Sequence, residues 1–182
     1  IFYSKGNPEI KFVSPVSGKL TKIERGAKRR IMSLSIASDG KNEAVTHNLE
    51  KLDNLEAVDV KKHLLESGCW PFVKQRPYDV IADPDSTPKA IFISGFSTAP
   101  LAADVPFILS SQKEDFQNGI NALAKLTPKV HLSVDASSAS FLTEVSNAEI
   151  HRVKGQHPAG NVGVQIHHID PVNAGETVWV VG

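Results

Sequence analysis

Between Gly68 and Tyr78 the chain crowds Trp70, Phe72, Arg76 and Tyr78 into nine positions, with Pro71 and Pro77 stiffening the backbone between them. A long aromatic loop next to a sheet edge is a candidate binding surface. The plainer reading is that the rings plug the loop onto the core. Downstream, residues 90–93 (Ala-Ile-Phe-Ile) read as a short buried strand that delivers Ser94, Gly95, Phe96, Ser97 and Thr98 to its carboxyl end. Ligands of α/β sheets bind at that edge. A third stretch, Gly155 to Gly160 around His157 and Pro158, leads into residues 161–169, where backbone amides could receive an anion or a polar head group. An ordinary strand-to-helix turn accounts for the same residues.

Several chemistries lack their residues. No G-x-G-x-x-G follows the strand at 90–93, and a lone Gly95 beside Phe96 does not make a dinucleotide turn. Gly155 and Gly160 have phosphate-loop spacing, but Asn161-Val162 stands where Lys-Ser or Lys-Thr would reach phosphate and magnesium. His151, His157, His167 and His168, with Asp170, raise the question of a metal. Neighbouring His167 and His168 point to different sides of any regular element and no H-x-x-x-H pair exists, so the expectation is no metal site. No serine sits in a G-x-S-x-G elbow, and Cys69 beside Trp70 reads as a half-buried structural thiol. No catalytic residue is assigned. Binding or assembly fits these residues better than catalysis.

Composition bounds the class. With 41% hydrophobic and 22% charged residues, the 182-residue chain is an ordinary globular one, long enough for one full domain and a smaller piece. Its 20 basic and 20 acidic residues cancel, leaving no footprint for nucleic acid. The cluster Arg25, Lys28, Arg29, Arg30 reads as a solvated hairpin tip. A single cysteine excludes an internal disulfide. The start on Ile1 and the end on an apolar strand imply a piece of something longer.

The elements that must position these residues follow from periodicity. Residues 10–13, 19–23 and 31–36 alternate apolar and polar with turns between them, a small β unit with too few strands to bury a core alone. Leu49, Leu52 and Leu55 suit a short helix, and Val60, Leu64 and Leu65 a second one stopped by Gly68. After the strand at 90–93, Ser111 and Glu114 read as a capping box opening a helix through Phe116, Ile120 and Leu123 to Thr127-Pro128. Residues 130–134 form a strand, 137–145 a helix, 149–153 a strand and 177–181 a last strand. This alternation predicts a parallel, Rossmann-like α/β layer over residues 46–182, preceded by the β unit at 1–45.

Five stretches carry a resemblance. They are Asn7-Pro8-Glu9-Ile10-Lys11-Phe12 into Ser14-Pro15-Val16-Ser17-Gly18; Arg25-Gly26-Ala27-Lys28-Arg29; Glu66-Ser67-Gly68-Cys69-Trp70 with Arg76-Pro77; Asp85-Ser86-Thr87-Pro88-Lys89-Ala90-Ile91-Phe92 with Pro100-Leu101-Ala102-Ala103; and His157-Pro158-Ala159-Gly160 with Val178-Trp179. In order and content they resemble the A subunits of the bacterial sodium-translocating NADH:quinone oxidoreductases. The resemblance implies that the β unit is part of a barrel-sandwich hybrid, without a carrier lysine hairpin. It also implies that the α/β domain is similar to that of the flavin-binding subunits of respiratory complex I.

Those relatives hold FMN with a glycine-rich loop, and the corresponding residues 68–77 here carry bulky side chains instead. The implied subunit has no redox cofactor of its own, with FAD, FMN and iron centres carried by other subunits. It sits on the cytoplasmic face of the inner membrane, docked on a membrane-embedded partner. Trp70, Phe72, Arg76, Tyr78, Phe96 and His157 become contacts for quinone or for a partner. The alternative is an FMN-binding electron-input subunit of the NADH dehydrogenase type.

Overall fold

The computed structural model describes residues 1–47 and 52–182. Leu49, placed in a helix by its spacing, lies outside them; Leu52 to Asn54 form a single 3-10 turn. At the N-terminus β1 (Phe2–Tyr3) pairs antiparallel with β2 (Lys11–Phe12), and Phe2 stacks on Phe12 with ring centroids 4.4 Å apart. β3 (Gly18–Arg25) and β4 (Ile31–Ser38) form a hairpin whose exposed tip carries Arg25, Lys28, Arg29 and Arg30, as expected. The hairpin buries almost nothing: Leu20, Ile23, Ile31 and Met32 are exposed. Ile10, by contrast, is 3% exposed and belongs to the core of the domain that follows.

Val60, Leu64 and Leu65 lie along α1 (Ala57–Glu66), which opens with Glu56 and Asp59 in a reciprocal capping box. It stops where the sequence places the stop. Gly68 takes φ +76°, the Cys69 N–H donates to the Leu64 carbonyl at 3.0 Å, and the Gly68 N–H donates to that of Leu65 at 3.3 Å. A Cβ at Gly68 would meet Val13 Cγ1 at 2.5 Å, so this glycine also lets the N-terminal unit approach.

The next segment departs from expectation. Trp70 to Phe72 make a 3-10 turn, and what reads as loop is strand β5 (Val73–Arg76) followed by β6 (Val80–Ile81). Both belong to a six-stranded sheet ordered β6-β5-β10-β7-β8-β9, with β7 (Ile91–Ser94), β8 (Val130–Asp135), β9 (Glu149–Val153) and β10 (Val178–Val181) mutually parallel. β5 runs antiparallel to β10, and β6 antiparallel to β5. The expected Rossmann-like, parallel-rich α/β layer is present, with antiparallel strands added at one edge.

Helices cover both faces. α1 and α3 (Lys113–Leu123) pack on Ile91, Ile93, Val130, Leu132, Val134 and Trp179. α4 (Val162–Ile169) packs through Ile166 on Ala90, Phe92 and Val178 of the other face. Two local expectations are corrected. Ser111 ends a 3-10 turn that follows the short α2 (Val105–Ile108), so the cap of α3 is Gln112, with no side-chain cap, and the helix closes at Ala124. Residues 137–145 hold only the 3-10 turn Phe141–Thr143. Asp135 accepts from the Ser137 N–H, and Ser138 bonds Ser140, so local side-chain bonds outcompete a helix there.

Candidate functional site

The chain runs from β7 through α3 to β8 and β9, then returns through α4 to β10 on the other side of β7. The chain leaves β7 toward α3 on one face and enters β10 from α4 on the other, and a crevice lies at the carboxyl ends of the two strands. A cleft of about 640 Å³ occupies that opening. Ser94 at the end of β7 and Phe96 beyond it form its floor, Val180 and Val181 come from β10, Gly160 to Val164 bring the start of α4, and Phe72 from the 3-10 turn with Lys74 and Arg76 of β5 closes it.

Strand alternation explains Lys74 and Arg76. Val73 points into the α1/α3 core, so Lys74 and Arg76 turn to the α4 side. The Arg76 Nη2 reaches Asp79 Oδ1 at 3.5 Å, while its buried Nε has no partner. Opposite stands the positive end of α4, whose first turn has no acidic residue. The cleft thus pairs two cations and a helix N-terminus with two phenyl rings. That suits a planar ligand carrying carbonyl or anionic oxygens.

Its floor is held by hydrogen bonds. Ser94 Oγ donates to the Phe96 carbonyl at 2.9 Å and accepts from Gln165 Nε2 at 3.0 Å. Gly160 donates to Thr98 Oγ1 at 2.9 Å, and a Cβ at that glycine would lie 2.4 Å from the Thr98 nitrogen. Only glycine lets the two loops approach so closely.

Of the residues expected to make contacts, the structure gathers Phe72, Arg76 and Phe96 around this cleft. Trp70 it places elsewhere. The indole is fully buried on the α1/α3 face, edge-on to Trp179 at 5.3 Å, with its N–H donating to the Ala82 carbonyl at 2.8 Å. Tyr78 projects from the β5–β6 turn, 82% exposed. His157 lies on the exposed loop beside the cleft, with Nδ1 3.3 Å from Thr98 Oγ1. Cys69, read as half-buried, is exposed. Ser94 and Asn161 also line the cleft, at the strand end and the helix start where the sequence placed ligand contact, whereas Lys74 was missed. Alternation along 73–76 would have pointed to Lys74 had that stretch been read as strand.

The histidines scatter. His167 and His168 occupy the last turn of α4 with rings 5.1 Å apart. His151 approaches a residue the sequence reading left out, the buried His131, whose imidazole is held below its ordinary pKa by burial first and His151 second. At the far end of α4, Lys89 bridges Asp170 at 2.6 Å and Glu176 at 2.9 Å; the bond to Lys89 holds the Asp170 carboxyl below the usual range.

Comparisons with known proteins agree with this architecture. The model of the NqrA second alpha/beta domain matches residues 55–182, and that of the NqrA N-terminal barrel-sandwich hybrid domain matches residues 1–39. The chain is 39% identical over 184 residues to the A subunit of the Na(+)-translocating NADH-quinone reductase of Neisseria meningitidis (serogroup A, strain Z2491), covering 100% of the chain and 41% of that relative. Its counterpart from Haemophilus influenzae (strain PittGG) is 39% identical, with 98% of the chain and 41% of the relative covered. That of Actinobacillus succinogenes is 40% identical over 182 residues, covering 98% and 40%. The chain spans about two-fifths of the length of these curated relatives. By both matched domains and by identity along its whole length, the chain belongs to the NqrA family.

Proposed function

We propose that this chain is part of a peripheral subunit of a sodium-translocating NADH:quinone reductase, on the cytoplasmic side of the bacterial inner membrane. In this reading the cleft between β7 and β10 receives a quinone head group. Among the described residues no helix is long and apolar enough to cross a membrane. Attachment in this reading is through contacts with a membrane-embedded partner. The complex as a whole couples NADH oxidation and quinone reduction to sodium transport. FAD, FMN and iron centres reside in its other subunits, and this chain holds no redox cofactor of its own.

The observation that carries the reading is the convergence of Phe72, Phe96 and Arg76 on one open cleft. Rings at Phe72 and Phe96 stack on a quinone, and the Arg76 guanidinium lining the same cleft donates to a quinone carbonyl. The test is steady-state kinetics of the intact complex. Arg76→Ala and Phe96→Ala raise KM for quinone several-fold and leave NADH oxidation by an artificial acceptor unchanged. An unaltered KM in both variants contradicts the reading.

A second reading has its own support. Lys74, Arg76 and the N-terminus of α4 also form a cradle for a phosphate, which favours an FMN-holding protein. The absorption spectrum of the purified subunit tests it: stoichiometric flavin bands select FMN, and their absence removes the FMN reading.

A further inference from the structure

The sheet face that ends in the cleft carries a second cluster near the opposite edge. Glu149 and His151 alternate onto one side of β9, and the parallel register sets His131 of β8 opposite Glu149. His131 Nδ1 lies 2.9 Å from His151 Nε2 and 3.5 Å from Glu149 Oε2, while His151 Nε2 lies 3.9 Å from Glu149 Oε1. Neighbouring ligands at zinc bond lengths in a tetrahedral array stand about 3.3 Å apart. These separations bracket that value. We propose that His131, Glu149 and His151 form a binding site for a zinc-class divalent cation, with the fourth position open to solvent.

Three observations favour a metal over a simple hydrogen-bonded pair. His131 is 3% exposed, and its other nitrogen, Nε2, is buried without a partner. That nitrogen faces Asp170 Oδ2 at 3.9 Å. An ion on Nδ1 fixes the proton on Nε2, aimed at a carboxylate, which is how histidine ligands are ordinarily supported from behind. The Phe92 ring, 4.7 Å from that of His131, walls the inner side. Meanwhile the Glu149 side chain is 68% exposed and supplies the entry path. Two imidazole nitrogens with one carboxylate select zinc or a similar transition ion over calcium or magnesium, which prefer oxygen donors. The site shares no lining residue with the cleft, so it stands or falls apart from the quinone reading.

The experiment uses the intact complex, stripped with a chelator, desalted and then supplied with zinc or cobalt(II). One extra equivalent of zinc is retained on desalting relative to the His151→Ala complex. Cobalt gives tetrahedral d–d bands at this site, and zinc raises the melting temperature of the subunit. His151→Ala and Glu149→Gln each lower affinity at least tenfold and abolish the bands. Both residues lie on β9 at the edge of the sheet, and circular dichroism of the variants verifies that the fold persists. His167→Ala leaves binding intact. Failure of the unaltered complex to show the extra equivalent, or binding that survives both His151→Ala and Glu149→Gln, overturns the proposal.

Discussion

The two faces of the central sheet are built on opposite terms. Toward α1 and α3 the strands present Ile91, Ile93, Val130, Leu132, Val134 and Trp179, closed by Trp70 and Leu142, in one large apolar cluster. Toward α4 the buried apolar residues among the described ones are Ala90, Phe92, Ile166 and Val178, and His131, Ser133 and Gln165 are buried among them. Each of those three has a side-chain atom with no hydrogen-bond partner. Burying unpaired polar groups costs free energy, so stability does not account for them. The α1/α3 face holds the fold, and the α4 face carries the cleft, the histidine cluster and the Lys89–Asp170 bridge.

The sharpest way to break this contrast is to truncate the tryptophans. Trp70→Ala and Trp179→Ala each lower unfolding free energy by about 3–5 kcal/mol in denaturant titration, because both rings are sealed in the apolar cluster. A loss below about 1 kcal/mol at both would mean that the core does not sit on that side. Next comes Gly68→Ala, which forces a Cβ onto Val13 at a positive φ; about 1–3 kcal/mol is expected by the same titration. On the α4 face the sign changes. Ser133→Ala removes an unpartnered hydroxyl and leaves stability within about 1 kcal/mol of the parent or raises it. A large loss there would erase the difference between the faces.

The pH response should also come from the α4 side. The Asp170 carboxyl is held low chiefly by the Lys89 bond, so its stabilising contribution is complete above the ordinary aspartate value of about 3.9. It is lost as pH falls from there through the lowered folded-state value. Lys89, raised by the same partner and by Glu176, contributes fully below its unfolded value and loses that contribution as pH rises through its higher folded one. Asp170→Asn therefore flattens the acid limb of a stability–pH curve, and an unchanged acid limb contradicts the assignment. The smallest stability effect belongs to Phe72→Ala, within about 0.5 kcal/mol, because the ring is 67% exposed.

What the sequence made legible divides along similar lines. Strongly patterned elements were readable: the apolar runs of β7, β8 and β10, the spacing of Val60, Leu64 and Leu65, and the Gly68 stop. Strand β5 was not, because Val-Lys-Gln-Arg between Pro71 and Pro77 has one apolar residue to register alternation. Trp70 was drawn toward the binding surface by its neighbours, yet the 3-10 turn rotates it into the core. The histidine cluster was hidden for another reason. His131 occupies the polar slot of an alternating strand, and only the β8–β9 register brings it to Glu149 and His151, about twenty residues away.

The cleft itself is most directly tested by mapping where a photoreactive quinone analogue attaches in the intact complex. The account predicts label on peptides containing Phe72 to Arg76 and Ser94 to Phe96, reduced by excess quinone and by Arg76→Ala. Label confined to other subunits, with these peptides unmodified, would contradict it.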